Sequence, residues 1–434
     1  MKGMRRCPTC FPKCDAARVR LRVITTRTRC SIAGPPEALT LSSCVLTSTM
    51  LLTIARRAST TSCARLPLRG FATSHNFPAF PSDVPTHPLL VVNYARIKAG
   101  DKAEIDRLWE AATTLGFWYL KNHGADAEAE AMFKMGEDVM RLPLKEKMKF
   151  EQGDDGNSFG YKAAGANATD AAGTRDTVEF INIAKDDALA YPVVARRTYP
   201  RPVVKAMPTV VQPFVRKSVD VNSTLLATLG ERLGLPKDSL QRRHSETEHS
   251  GSEARVIHSL PLTPEEREAR KAIGAHTDFG SLSFLHNRLG GLQVLPPGSE
   301  RWQYIKPLPG HAICNLGDAM ALFSGGILRS NIHRVVPPPS FQADLPRWSL
   351  VFFTRPGNGQ ILRALTDESP IIRDAIEAKR AQGEDVSAYD TGSTAFDWFA
   401  RRIRNQRMNN RKGPETWLAS RGTEGRTEDA IPEV

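Results

Sequence analysis

Cysteine is nearly absent from most of this 434-residue sequence: Cys314 is the only one beyond residue 70, while Cys7, Cys10, Cys14, Cys30, Cys44 and Cys63 stand before it. A body with one cysteine has no disulfide framework and suits a reducing compartment. Acid is what the first 70 residues lack. There, 13 Lys and Arg stand against Asp15 and Glu37 alone, so nearly all of the formal +12 charge lies in this stretch. The remainder is near neutral with no basic stripe, which argues against a nucleic-acid partner. No phosphate loop of the GxxxxGKS or GxxxxGKT kind, no HExxH zinc helix and no repeat of helix-pair or propeller length occurs. Cys7, Cys10 and Cys14 lack a nearby fourth ligand for zinc. The uncharged run from Ala38 to Ala55 holds seven Ser or Thr, which argues against a membrane span.

What the first 70 residues do contain is the texture of a targeting segment. From Met50, MLLTIARRASTTSCARLPLRGFATSH is rich in Arg, Ser and Thr, the composition of a mitochondrial presequence, with RGFATS placing a processing point after Phe71. The expectation is a start at Met50 and a mitochondrial location, or a cytoplasmic one if that leader does not function.

The body divides by texture into a helix-rich region, 71–250, a strand-rich region, 251–366, and a helical extension, 367–434. PLLVVNY reads as a strand, and Asp101 caps a helix with Ile105, Leu108, Trp109, Ala112 and Leu115 at helical spacing before Gly116. FWYLKNHG is a strand ending in a turn. Helical patterns follow over about 126–150, broken near Pro143, and over about 209–233. Residues 151–175 are rich in Gly, Ala and Asp and read as a long loop of the kind that forms lids. From Arg255, about eight short strands separated by GG, PPGS, PG and SGG turns predict a β-sandwich or jelly roll with flanking helices, an α+β chain with a mainly β core.

Within the strand-rich region, GAHTDFGSLSF sets His276 and Asp278 two residues apart in an apolar setting. On a strand, positions i and i+2 face one side, so imidazole and carboxylate can reach one point. His333 opens a further strand, HRVVPPP, 57 residues on. Two histidines and a carboxylate with open positions opposite form the facial triad of non-haem iron sites. Arg347 and Ser349 in PRWSLVFF share a strand face, and an arginine in so apolar a strand is expected to meet an anion.

HTDFGSLSFL, NLGDAMALFSGG, HRVV and RWS, in that order, resemble the iron(II)- and 2-oxoglutarate-dependent dioxygenases of the isopenicillin N synthase-like family. PLLVVNYARIKAG and GFWYLKNHG resemble that family's N-terminal region, so the likeness runs from about Pro88 to Pro356. It implies a double-stranded β-helix, iron(II) on His276, Asp278 and His333, and the distal carboxylate of 2-oxoglutarate on Arg347 and Ser349. It further implies oxidative decarboxylation of the keto acid to succinate and carbon dioxide, coupled through dioxygen to oxidation of a small organic substrate, hydroxylation by default. Ser259 departs from the resemblance, standing where relatives often carry a tyrosine that contacts the cosubstrate.

Tyr161, Arg175, Glu179 and His258 are candidates for the substrate side, and Asn315 and Asp318 are expected to shape a turn. Residues 151–180 and 390–420 are expected to supply the substrate pocket. A monomer without membrane or nucleic-acid partners is the expected state. Two rivals stay open: an oxidase that uses no 2-oxoglutarate, and an inactive jelly roll that only binds.

Overall fold

The computed structural model describes residues 77–269 and 273–423, so the expected leader, with its cysteines and processing point, lies outside the described residues. Twelve strands make two sheets: β1 Val91–Asn93, β2 Phe117–Lys121, β3 Gly160–Lys162, β4 Val178–Ala184, β5 Glu253–Ser259, β6 Ile273–His276, β7 Leu282–Asn287, β8 Leu292–Val294, β9 Gln303–Tyr304, β10 His311–Leu316, β11 His333–Val335 and β12 Arg347–Thr354. The large sheet runs β1-β2-β10-β7-β12-β5-β4-β3, and the small one β6-β11-β8-β9. The pairing of β1 with β2 is parallel; every other pairing in the two sheets is antiparallel. The jelly-roll expectation holds. Strands before residue 250 complete the same sheet as those after it.

Strand alternation splits the large sheet into two chemical faces. On β12, Leu350 and Phe352 point to the helices, while Val351 and Phe353 join the layer between the sheets. The helical face carries most of the core, including Trp118, Leu120, Ile181, Val256 and Phe284 packed under the helices Asp126–Met140 and Gln212–Arg232. Each such buried side chain contributes roughly 1.5–3 kcal/mol relative to exposure. The inner face, with Phe117, Phe180, Ile257 and Val335, is smaller and surrounds open space.

Local signals explain the outer elements. Asp101 Oδ1 accepts from the Glu104 amide at 3.1 Å, capping the helix Lys102–Thr114. Gly116 follows at φ +76°, where a Cβ would strike the Arg329 carbonyl, so only glycine turns the chain there. Two differences from the expected pattern stand out. The stretch 151–175 contains β3, because Gly160–Lys162 pairs with Phe180–Asn182 of β4, a strand that sequence texture did not single out. The helical extension also contains a strand, β14 Asp390–Thr394, which follows the helix Pro370–Ala381, pairs antiparallel with β13 Ile361–Arg363 of the strand-rich region, and precedes helices Ala395–Gln406 and Pro414–Ser420.

Candidate metal centre and its cavity

Three potential metal donors converge at the open end between the sheets. His333 pairs directly with His276 across β11 and β6, which puts both imidazoles on one side of the small sheet. Each Nε2 lies 3.8 Å from Asp278 Oδ1, and the ring centres are 4.3 Å apart. The rest of each side chain is committed elsewhere. His276 Nδ1 donates to the Gly274 carbonyl at 2.8 Å and His333 Nδ1 to the Asn331 carbonyl at 3.1 Å. A carbonyl only accepts, so both protons sit on Nδ1 and both Nε2 lone pairs face the shared point.

Asp278 reaches that point by a route the strand argument did not foresee. β6 ends at His276, and Asp278 stands in the turn that follows. Its backbone carbonyl accepts from the Asp318 amide at 2.9 Å. Its Oδ2 accepts from Asn315 Nδ2 at 2.6 Å and from Ser283 Oγ, leaving Oδ1 toward the histidines. Burial opposes its charge, yet His333, His276 and these two donors outweigh it and bring the carboxyl down to about 2. Burial, with repulsion from His333, lowers His276 to about 3 and so favours the neutral imidazole a metal requires. Two neutral nitrogens and one carboxylate oxygen, each backed by a hydrogen bond, fit a divalent ion of the borderline type.

Arg347 and Ser349 open onto the same cavity. Arg347 is 4% exposed and pairs with no carboxylate among the described residues; its Nε donates to the Gly290 carbonyl at 2.7 Å and its Nη1 to Ser349 Oγ at 2.8 Å. Burial alone pulls the guanidinium down to about 10. A buried cation without a counter-charge, beside a hydroxyl, fits an anionic guest. Ser259 is the cross-strand neighbour of Arg347 but does not line this cavity.

The substrate-side expectations need correction. Glu179 and His258 sit on the helical face of β4 and β5, opposite to the cavity, because their inward neighbours Val178, Phe180 and Ile257 fix the alternation. Glu179 there accepts from Tyr161 Oη at 2.6 Å, Lys147 Nζ at 2.6 Å and His258 Nδ1 at 2.9 Å, a closed structural cluster. Arg175 is exposed and donates to the Gly165 carbonyl at 2.6 Å. None of the four lines the cavity.

The cavity, about 150 Å³, is instead shaped by Phe117, Phe180, Phe353, Arg255 and Arg355, with Gln152, Asn167 and Thr169 from the long loop and Gln406, Trp417 and Arg421 from the extension. Both stretches expected to supply the pocket therefore contribute. Gly274 lets the loop approach: a Cβ there would overlap the Thr169 carbonyl. Asn315, expected to shape a turn, is a holder of Asp278. Asp318 is fully buried and binds Arg402 from the extension, whose Nη2 donates to the Thr277 carbonyl between the two ligands at 2.9 Å. Among the described residues no helix is long and apolar enough to cross a membrane.

Comparison with known proteins agrees with this geometry. Residues 251–356 match the 2OG-Fe(II) oxygenase superfamily, and residues 89–204 match the N-terminal region described as that of a non-haem dioxygenase in morphine synthesis. The chain is 29% identical over 320 residues to a 2-oxoglutarate-dependent dioxygenase, frbH, of Dothideomycetidae sp., covering 72% of this chain and 90% of the relative. It is 28% identical over 247 residues to a homoarginine-6-hydroxylase of Oryza sativa, covering 54% of this chain and 72% of that one. In fold it is similar to a 2OG-Fe(II) oxygenase family protein of Caulobacter crescentus, with a TM-score of 0.59, 23% identity and coverage of 74% and 99%. A full-length Neurospora crassa protein solved in complex with alpha-KG gives a TM-score of 0.58 at 19% identity, covering 74% of this chain and 97% of that one.

Proposed function

The chain belongs to the iron(II)- and 2-oxoglutarate-dependent dioxygenases of the 2OG-Fe(II) oxygenase superfamily, and from that premise we propose that it hydroxylates a small organic substrate held between its two sheets. Its metal is iron(II), with 2-oxoglutarate and dioxygen as cosubstrates. The observation that carries the proposal is one cavity containing both the His276, Asp278 and His333 donors and the uncompensated Arg347 cation.

When bound, the metal and keto acid supply oxidative decarboxylation to succinate and carbon dioxide with oxidation of a C–H bond. The chain's own residues do the positioning. His276, Asp278 and His333 would hold the ion. Arg347 and Ser349 hold the distal carboxylate, and the guanidinium, being always charged, needs no proton adjustment to do so. Phe117, Phe180, Val351 and Phe353 keep water from the reacting region. An oxidase whose own substrate carries a carboxylate would satisfy Arg347 equally well, so the keto-acid reading is favoured instead by the relatives named as 2-oxoglutarate-dependent dioxygenases. We extend the proposal to a monomer without nucleic-acid or membrane partners, with a mitochondrial address if the leader from Met50 functions and a cytoplasmic one otherwise.

The test is succinate release from 2-oxoglutarate by protein loaded anaerobically with iron(II) and then exposed to air, beside an Asp278→Ala control. Turnover that disappears in the control is expected. If the keto acid does not chelate the loaded iron, as read by visible absorption, the proposal is wrong.

A further inference from the structure

The inner face of β12 has a cation beyond each end of its apolar stretch: Arg347 and Ser349 at the start, Val351 and Phe353 in the middle, Arg355 just past the end. Eight residue steps of extended chain separate the two arginines, about 26 Å at the usual strand rise. The first is the expected seat of the keto acid, and the second has no assigned task.

Arg355 is 6% exposed, lines the cavity and packs against Gly280, two residues past Asp278. Its Nη1 donates to the Gly251 carbonyl, and its Nη2 shares Glu253 Oε1 with Arg255 Nη2, at 3.2 and 2.7 Å respectively. Its Nε is buried without any partner. Arg255, which also lines the cavity, spends its Nε on Asn182 Oδ1 at 2.7 Å. Two guanidinium groups thus share one carboxylate, and Glu253 Oε2 is already taken by Ser158.

The other cavity acids do not restore the balance. Asp176 is bound to the buried Lys162, and Asp278 faces the metal donors. The arginines are interleaved with rings: Arg255 lies 4.3 Å from the Phe180 centroid and 4.9 Å from Phe353, and Arg355 lies 5.0 Å from Phe353 and 4.5 Å from Phe399. Such stacking holds guanidinium planes in place while leaving the charge to be met by an anion. The wall is therefore positive, rigid and flanked by flat apolar surface.

We infer that Arg355, supported by Arg255, is an anion seat at the far end of the cavity from Arg347, and that the substrate is a small carboxylic acid with a flat or apolar body. This rests on the dioxygenase reading above. The carboxylate would meet the Arg355 guanidinium from the cavity, the body would lie along Phe180 and Phe353, and its C–H bonds would point toward the His276, Asp278 and His333 donors. The keto acid and the substrate would be sorted by the two cations at opposite ends of one strand.

The test uses full-length protein carrying manganese(II), a redox-silent ion, and 2-oxoglutarate, titrated calorimetrically with matched acids and amides: 3-phenylpropanoate, cinnamate, 2-naphthoate and hexanoate, each beside its primary amide. At least one acid is expected to bind about tenfold or more tighter than its amide, the size of a charge-assisted hydrogen bond. Arg355→Gln is expected to shrink that ratio below about twofold, and Arg355→Lys to keep part of it. Retained 2-oxoglutarate affinity reports that each variant is folded; if Arg355→Gln fails that check, the wild-type ratios and Arg355→Lys decide. No acid preference in any pair, or a preference that survives Arg355→Gln, overturns the seat. Acid binding without succinate release under iron(II) and air would sink the dioxygenase reading and leave the seat standing, whereas succinate release without acid preference would do the reverse.

Discussion

Asn315 Nδ2 stands 2.6 Å from Asp278 Oδ2, so a side chain of the large sheet fixes the carboxylate that completes the small sheet's pair of histidines. With Ser283 on the same oxygen, Asp278 has one orientation open to it, and Oδ1 is presented to the shared point. Removing such a support typically weakens a metal site by about 10- to 100-fold. Asn315→Ala is expected to lower manganese(II) affinity by about that factor, read by calorimetry, with little change in unfolding midpoint for the metal-free protein. Unchanged affinity would mean that Ser283 alone holds the carboxylate.

Arg347 and Ser349 address a different ligand, and their loss should separate from that of the metal site. Arg347→Gln is expected to weaken 2-oxoglutarate binding by about 10- to 100-fold, the range for a lost charge-assisted hydrogen bond, while manganese(II) affinity stays within about twofold. Ser349→Ala should cost less, because the guanidinium remains. Parallel losses of metal and keto acid in Arg347→Gln would instead mark a structural arginine.

The legible part of this site was the part whose chemistry is written in residue type and order. His276, Asp278, His333, Arg347 and Ser349 are polar residues in apolar stretches of sequence, and the fold does bring them to one cavity. Strand periodicity explained the arginine–serine pair, but not how Asp278 joins His276, because a chain leaves its strand where hydrogen bonds end, and periodicity does not mark that point. The substrate-side residues failed for a related reason. Glu179 and His258 lie on β4 and β5, and a one-residue change in position exchanges cavity for core. Glu179, Tyr161, Lys147 and His258 satisfy one another, a pairing across 111 residues of sequence that no local pattern reveals. Arg255 and Arg355 do alternate inward, so their signal was present, but their shared acid Glu253 was not readable from order alone.

Arg402 ties the C-terminal helices to the metal turn, and its burial makes the tie testable. Both Arg402 and Asp318 are fully buried and form an ion pair, and the same guanidinium donates to the Ser420 carbonyl at 3.1 Å and the Thr277 carbonyl at 2.9 Å. Breaking one side of a buried pair costs about 3–5 kcal/mol because the partner's charge is left in a poor solvent. Arg402→Met is expected to lose roughly that much stability in urea unfolding, and adding Asp318→Asn should restore part of it. A loss below about 1 kcal/mol would show that the extension can detach without disturbing the core.

Glu179 gives the pH dependence of the helical face. Burial would raise its carboxyl, but the hydrogen bonds from His258, Lys147 and Tyr161 prevail and bring it from the ordinary 4.5 down to about 2. A folded value below the unfolded one means that the folded state binds fewer protons in this window, so the stabilisation is complete above about pH 5 and declines as pH falls from about 4.5 toward 2. At about 1.36 kcal/mol per unit, on the order of 2 kcal/mol should be gone by pH 3. Other carboxylates titrate in the same range, so the quantity to measure is the stability gap between wild type and Glu179→Gln in urea at several pH values. That gap is expected to be constant from pH 7 to about 5.5 and to narrow by about 2 kcal/mol at pH 3. A gap independent of pH would mean that Glu179 is no more easily ionised in the folded protein than in the unfolded chain, and that the cluster is held by its neutral hydrogen bonds alone.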